Sequence, residues 1–137
     1  MYRHIALALG IALTAPAAFA QTAAQAPAEA PQAAAIDPSQ AYLAARNQLG
    51  ILKHCQEQGF TGAEAVAAQE KMLGMLPAGD ADAGTTAEEK GTAGTVAIGE
   101  TEIALADAAS QQGTTVEAQC KQIEAAVNQV AAQLPEG

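Results

Sequence analysis

Cys55 and Cys120 are the only cysteines in this 137-residue chain, and each bears a thiol that could form a bridge, exchange electrons or hold a metal. No Cys-x-x-Cys spacing is present. His54, the one histidine beyond the first few residues, adjoins Cys55. Neighbours on a helix lie about 100° apart, which places His54 poorly as a base for that thiol. The pair is expected to form one internal disulfide, with two buried thiols, redox chemistry and metal binding as the alternatives. The remaining candidates for chemistry are the Asp and Glu residues and two serines. Glu64, Glu89 and Glu117 each stand three residues after a threonine, the spacing of a helix-capping box, which accounts for them without catalysis. Ser39 and Ser110 fall at a helix start and a helix end with no histidine to activate them. Asp80-Ala-Asp82-Ala-Gly84 resembles the opening of a calcium loop, but counting from Asp80 puts Thr85 and Gly91 where an EF-hand takes glycine and a bidentate glutamate. No catalytic, cofactor or metal residue is therefore assigned, and the chain is not expected to be an enzyme.

Where the protein works is read from its first twenty residues. Met1-Tyr-Arg-His precedes an apolar run from Ile5 to Phe19, and Ala18-Phe19-Ala20 has the small-residue form of a processing site. This is the pattern of a secretory signal peptide cleaved between Ala20 and Gln21, which implies a periplasmic or secreted protein. Loss of Arg3 with the leader leaves five Lys or Arg against fifteen Asp or Glu, a formal charge of −10 against −9 for the whole chain. Such a surface repels phosphate backbones and anionic lipid, so nucleic acid is not expected as a partner and membrane contact is disfavoured. Tyr42 and Phe60 are the only aromatic residues after the leader, poor material for a ligand pocket.

The elements that must position the cysteines are helices. Residues 21–36 are Ala, Gln and Pro with almost no large side chain, a composition expected to form a disordered linker. Asp37-Pro38 joins an N-cap acceptor to a proline at the first helical position. The helix it opens should run to about Gln58, with Tyr42, Ala45, Leu49, Leu52 and Cys55 on one stripe and Gly59 as its stop. Thr61-Gly-Ala-Glu64 should cap a second helix carrying Val66, Gln69, Leu73 and Leu76, ended by Pro77. Residues 77–85 read as a solvated loop. Thr86-Ala-Glu-Glu89 then opens a third helix expected to reach Gln112, with Gly91, Gly94 and Gly99 inside it. Each of those glycines costs about 1 kcal/mol against alanine, which close approach to another helix or a local kink would offset. Thr114-Thr-Val-Glu117 should cap a fourth helix whose stripe is Val116, Cys120, Ile123, Val127, Val130 and Leu134, ended by Pro135.

Four helices in two hairpins give an all-α, up-down four-helix bundle over residues 37–135. Both hairpin tips then lie at one end, with the first and fourth helices adjacent. Cys55 falls roughly 6 Å below its tip and Cys120 roughly 10 Å below its own, similar heights for a bridge. An exported compartment is oxidising. Closing a loop of about 66 residues contributes on the order of 4 kcal/mol. That matters, because between Ser39 and Gly137 there are only about twenty large apolar side chains to make a core. Gln58-Gly-Phe-Thr61 and Gln112-Gly-Thr-Thr115 are similar turns, a pattern that duplication of a hairpin, or simply glycine stops and threonine caps, would produce. The outer faces of the helices are expected to be polar.

At Tyr42-Leu-Ala-Ala-Arg-Asn-Gln-Leu-Gly50, Cys55, Lys90-Gly-Thr-Ala-Gly-Thr-Val96 and Glu117-Ala-Gln-Cys120 the chain resembles small exported alanine-rich bacterial proteins grouped as a pore-forming, early-secreted-antigen-like (ESAT-like) family. The resemblance implies a secreted helical protein acting on membranes or partner helices. The Trp-x-Gly turn of that family is not found here, where the turns are Gly59-Phe60 and Gly113-Thr114, and no family site residue carries over. The first functional expectation is a non-enzymatic exported helical module that binds a protein partner or protects the envelope, for instance an acid-stress holdase that opens partly as its carboxylates protonate. The alternatives are a membrane-active protein working through its first and fourth helices and a thiol redox protein using Cys55 and Cys120.

Overall fold

The computed structural model describes residues 37–135, so the leader, its Ala20–Gln21 junction and the 21–36 segment lie outside the described residues. The first helix, α1 (Pro38–Glu57), starts and stops where its punctuation residues stand. The Asp37 carboxylate accepts the Ser39 N–H at 2.8 Å. Gly59 takes φ 76°, a conformation only glycine adopts freely, while Phe60 N–H returns to the Cys55 carbonyl and Gly59 N–H to that of Gln56. The second helix, α2 (Ala63–Met75), follows as expected, but Thr61 and Glu64 do not form its cap. Thr61 Oγ1 donates to the Leu52 carbonyl, and the Glu124 carboxylate accepts the Gly62 N–H at 2.8 Å. A carboxylate brought from far along the chain thus sits at the positive end of α2.

The expected third helix is replaced by four elements: a helix, two strands and a short helix. Helix α3 (Ala81–Thr92) begins inside the stretch assigned to a loop, because the Asp80 side chain accepts the Ala83 N–H at 2.7 Å. Thr86 lies within this helix and bonds back to the Asp82 carbonyl instead of capping. Gly94 at φ 81° then ends the helical path, and strands β1 (Thr95–Ile98) and β2 (Thr101–Ala104) form an antiparallel hairpin. The hairpin turns at Gly99-Glu100 with Gly99 at φ 61°. A short helix, α4 (Leu105–Gln111), follows, then α5 (Val116–Ala131). Thr115 caps α5 through the Ala118 N–H, one residue after the threonine expected to do so, and Glu117 pairs with Lys121. The described residues therefore form five helices and a β-hairpin, a mostly helical architecture that departs from the expected all-α four-helix bundle. The two similar turns share a physical cause: Gly113, like Gly59, closes a helix with paired backbone bonds, here Thr114 N–H to Ala109 and Gly113 N–H to Ser110.

Packing is organised around α1. Leu52, Ala65 and Val127 join α1, α2 and α5 in one cluster. Ile51, Cys55, Leu105 and Cys120 form a second, flanked by Phe60, Val96 and Val116, and Ile123 touches both. Cys55 and Cys120 are disulfide-bonded across α1 and α5 with Cα atoms 5.7 Å apart, and both are fully buried. The outer surface is not wholly polar, since Met75, Ile98 and Val130 are 54%, 70% and 48% exposed.

The closest approach is between α1 and α3. A Cβ at Gly50 would run into the Glu88 carbonyl and stand 2.7 Å from the Thr92 nitrogen. One at Gly91 would run into the Asn47 carbonyl and stand 2.8 Å from the Ile51 nitrogen. The Tyr42 ring similarly occupies the space over Gly79 and Gly84.

Gly91→Ala should lower the free energy of unfolding in urea by about 3 kcal/mol, since the backbones must separate. Gly74→Ala, on an open face of α2, should raise it by about 0.5–1 kcal/mol. Equal effects at the two positions would contradict this packing. The Cys55→Ala/Cys120→Ala double variant should lose on the order of 4 kcal/mol, given the 65-residue separation of the bridge. A loss below about 1 kcal/mol would show that the bridge does not restrain the unfolded chain.

Candidate functional site

Asn47 is 3% exposed, and all its amide hydrogen-bonding directions bar one are used. Its Nδ2 donates to the Ala87 carbonyl of α3 at 3.0 Å and to the Thr95 carbonyl of β1 at 2.9 Å, while its Oδ1 accepts the Ala97 N–H at 2.9 Å. Leu105 N–H bonds to the Gly94 carbonyl, so the register makes 94/105, 96/103 and 98/101 the bonded pairs and turns the backbone groups of Thr95 and Ala97 outward. Asn47 pairs with that outward edge as a neighbouring strand would. One side chain of α1 thereby satisfies β1 and ties the hairpin to both helices.

Polar contacts on either side reinforce the junction. Glu88 on α3 holds Arg46 at 2.8 Å and Lys53 at 2.5 Å, and Arg46 Nε also donates to the Gly84 carbonyl at 3.3 Å. His54 is half-buried. Its Nδ1 lies 3.0 Å from the Thr92 carbonyl, a bond that requires the proton on Nδ1, and its ring covers Gly94. Gln69 of α2 donates to the Ala45 carbonyl of α1 at 3.0 Å, and its buried Oε1 has no partner among the described residues.

The hairpin has two unlike faces because side chains alternate along each strand. Val96 packs on the disulfide cluster. Ala97 and Glu102, a cross-strand pair on the opposite face, turn toward α3 and the first turns of α1. Between them lies an open groove of about 440 Å³. Leu43 and Ala44 of α1, Ala83 and Ala87 of α3 and Ala97 of β1 give it an apolar floor. Lys90, Glu100 and Glu102 stand at its charged rim, where Lys90 is ion-paired with Glu102 from helix to strand. A second groove is lined by Arg46 and Glu88, already engaged in the ion pairs above, with Thr85, Glu89, Thr92 and Ala93.

Of the residues singled out by sequence, Cys55 and Cys120 are brought together in the core, while Ala20 and Gln21 lie outside the described residues. His54 meets the end of α3 instead of a thiol, and Glu64, Glu89 and Glu117 do not converge on one another at a shared pocket. Among the described residues, no group of three or more His, Cys, Asp or Glu is placed to hold a metal ion. No helix among them is long and apolar enough to cross a membrane. No family model, curated protein or solved structure matches this chain. The groove residues escaped the sequence because four of them are alanines, and because the wall that makes them a groove is the hairpin. Its signal was present in Thr-Val-Ala-Ile-Gly-Glu-Thr-Glu-Ile-Ala, β-branched residues alternating around a Gly-initiated turn.

Asn47→Ala should destabilise the domain by about 2–4 kcal/mol, with fast amide exchange across β1, because it leaves buried backbone groups unpaired. Asn47→Asp should be at least as damaging, since it keeps the acceptor for Ala97 but sets a carboxylate against the Ala87 and Thr95 carbonyls. A fully stable Asn47→Asp protein would show that these bonds do not anchor the hairpin.

Proposed function

We propose that the protein is an exported, non-enzymatic helical module that binds a protein partner through the groove between α1, α3 and the hairpin. The groove carries the reading: an apolar floor with a few charged groups at its edge is the composition of a recognition surface, and its 440 Å³ suits a side chain or short segment. Its walls are anchored by Asn47 and by the Gly50–Gly91 approach, which makes it preformed, and a preformed site spends little binding energy on ordering. Export is supported by the leader-like start of the chain and by the buried Cys55–Cys120 bridge, which suits an oxidising compartment.

A photo-crosslinking amino acid at Ala44, exposed at the groove, is expected to give a protein adduct of discrete mass in the cells that make this protein. The same residue at Ala126, exposed on α5, should give none. Equal adducts at both positions, or adducts at Ala126 alone, would contradict a binding face at the groove. Adducts with lipid at both positions would favour the membrane-active alternative.

A further inference from the structure

The groove has an electrostatic sign as well as a shape. Between Asp80 and Asp107 Lys90 is the only Lys or Arg, set among Asp82, Glu89, Glu100 and Glu102, while Glu88 is already neutralised by Arg46 and Lys53. Lys90 is itself held by Glu102, and Glu100 at the hairpin turn makes no ion pair among the described residues. An acidic segment brought to this rim would meet uncompensated carboxylates, whereas a basic one would meet a partner at Glu100 and compete with Lys90 for Glu102. The floor is complementary in size. Alanine at positions 44, 83, 87 and 97 leaves space that no side chain among the described residues fills, and a bulky apolar side chain from outside would bury itself there. The strand edge completes the site. In the register of the hairpin the N–H and C=O of Glu102 turn away from β1, and the residue is exposed, so a partner's main chain has a strand edge to join.

Resting on the binding reading above, we propose that the occupant is an extended segment of a partner protein that seats one bulky apolar side chain on the alanine floor and sets Lys or Arg beside Glu100 and Glu102. Affinity comes from the buried anchor. The basic neighbours select the partner and make binding weaken as salt rises, because the rim is solvent-exposed.

Three short fluorescent peptides test this by anisotropy against the intact, oxidised protein: one with a central Phe between lysines, one with glutamates in place of the lysines, and one with serine in place of the Phe. The first is expected to bind about tenfold more tightly than either of the others, and to lose its advantage over the glutamate peptide, but not over the serine peptide, between about 0.05 and about 0.5 M NaCl. Glu100→Lys should weaken it several-fold and Ala44→Trp, which fills the floor from an exposed position, should abolish it. Circular dichroism should show both variants folded. Equal binding of all three peptides, preference for the acidic peptide, no binding at all, or indifference to both substitutions would overturn the proposal. A partner crosslinked from position 44 together with any of those peptide results leaves the groove as a binding face and refutes only the chemistry assigned to its occupant. Failure of the crosslink at that position removes the binding reading itself.

Discussion

The backbone contact between α1 and α3 at Gly50 and Gly91 is the constraint on which the rest of the domain depends. Two helices that meet without side chains between them bring Asn47 within reach of Ala87, and the chain leaving α3 at Gly94 then passes the same amide. The hairpin is fixed by that geometry more than by its own four-residue strands, since an isolated two-stranded hairpin is marginal in water. Placed there, it shields the disulfide cluster with Val96 and walls the groove with Ala97 and Glu102. A bulkier residue at either glycine would separate the helices and move all of these together.

The disulfide core and the proposed binding groove fall to opposite ends of α1. Cys55 lies on α1 facing α5, one turn from Leu52 and Ile51, where a covalent link supplements a core with few large side chains. Leu43 and Ala44, nearer the start of the same helix, line the open groove. The bridge thus holds the layer that supports α1, and the groove is left with small side chains that add little to stability. Alanine richness, which thins the core, is what keeps this surface concave.

Sequence reasoning succeeded where the determinants are local and failed where they are distant. Asp37-Pro38 and Gly59 bound α1 because a cap, a fixed φ and a left-handed residue act within a turn of where they stand. The Cys55–Cys120 pairing survives although the bundle that suggested it does not, because it required only two turns at one end and α5 beside α1. Thr86-Ala-Glu-Glu89 misled because a capping-box spacing also occurs inside a helix, and Asp80, six residues before Thr86, is the residue that starts α3. The three glycines of the expected third helix have different fates: Gly91 permits helix contact, whereas Gly94 and Gly99 adopt positive φ and terminate or turn the chain. Nothing local reveals that the outer edge of β1 is paired by the side chain of Asn47, fifty residues before Ala97. The groove follows from that distant bond and was invisible for the same reason.

The central claim, that the α1–α3 contact positions the hairpin through Asn47, is tested most directly by native-state amide hydrogen exchange at Ala97, compared between the unaltered protein and the Gly91→Ala variant. Ala97 has no second strand on its outer side, so its protection reports the bond to Asn47 Oδ1. Ala97 should be protected like the buried amides of α1 in the unaltered protein and exchange freely in the variant, while amides around Cys120 in α5 lose only the protection that the global destabilisation removes. Unchanged protection of Ala97 in Gly91→Ala would mean that the hairpin holds its place without the glycine contact, and would contradict the account.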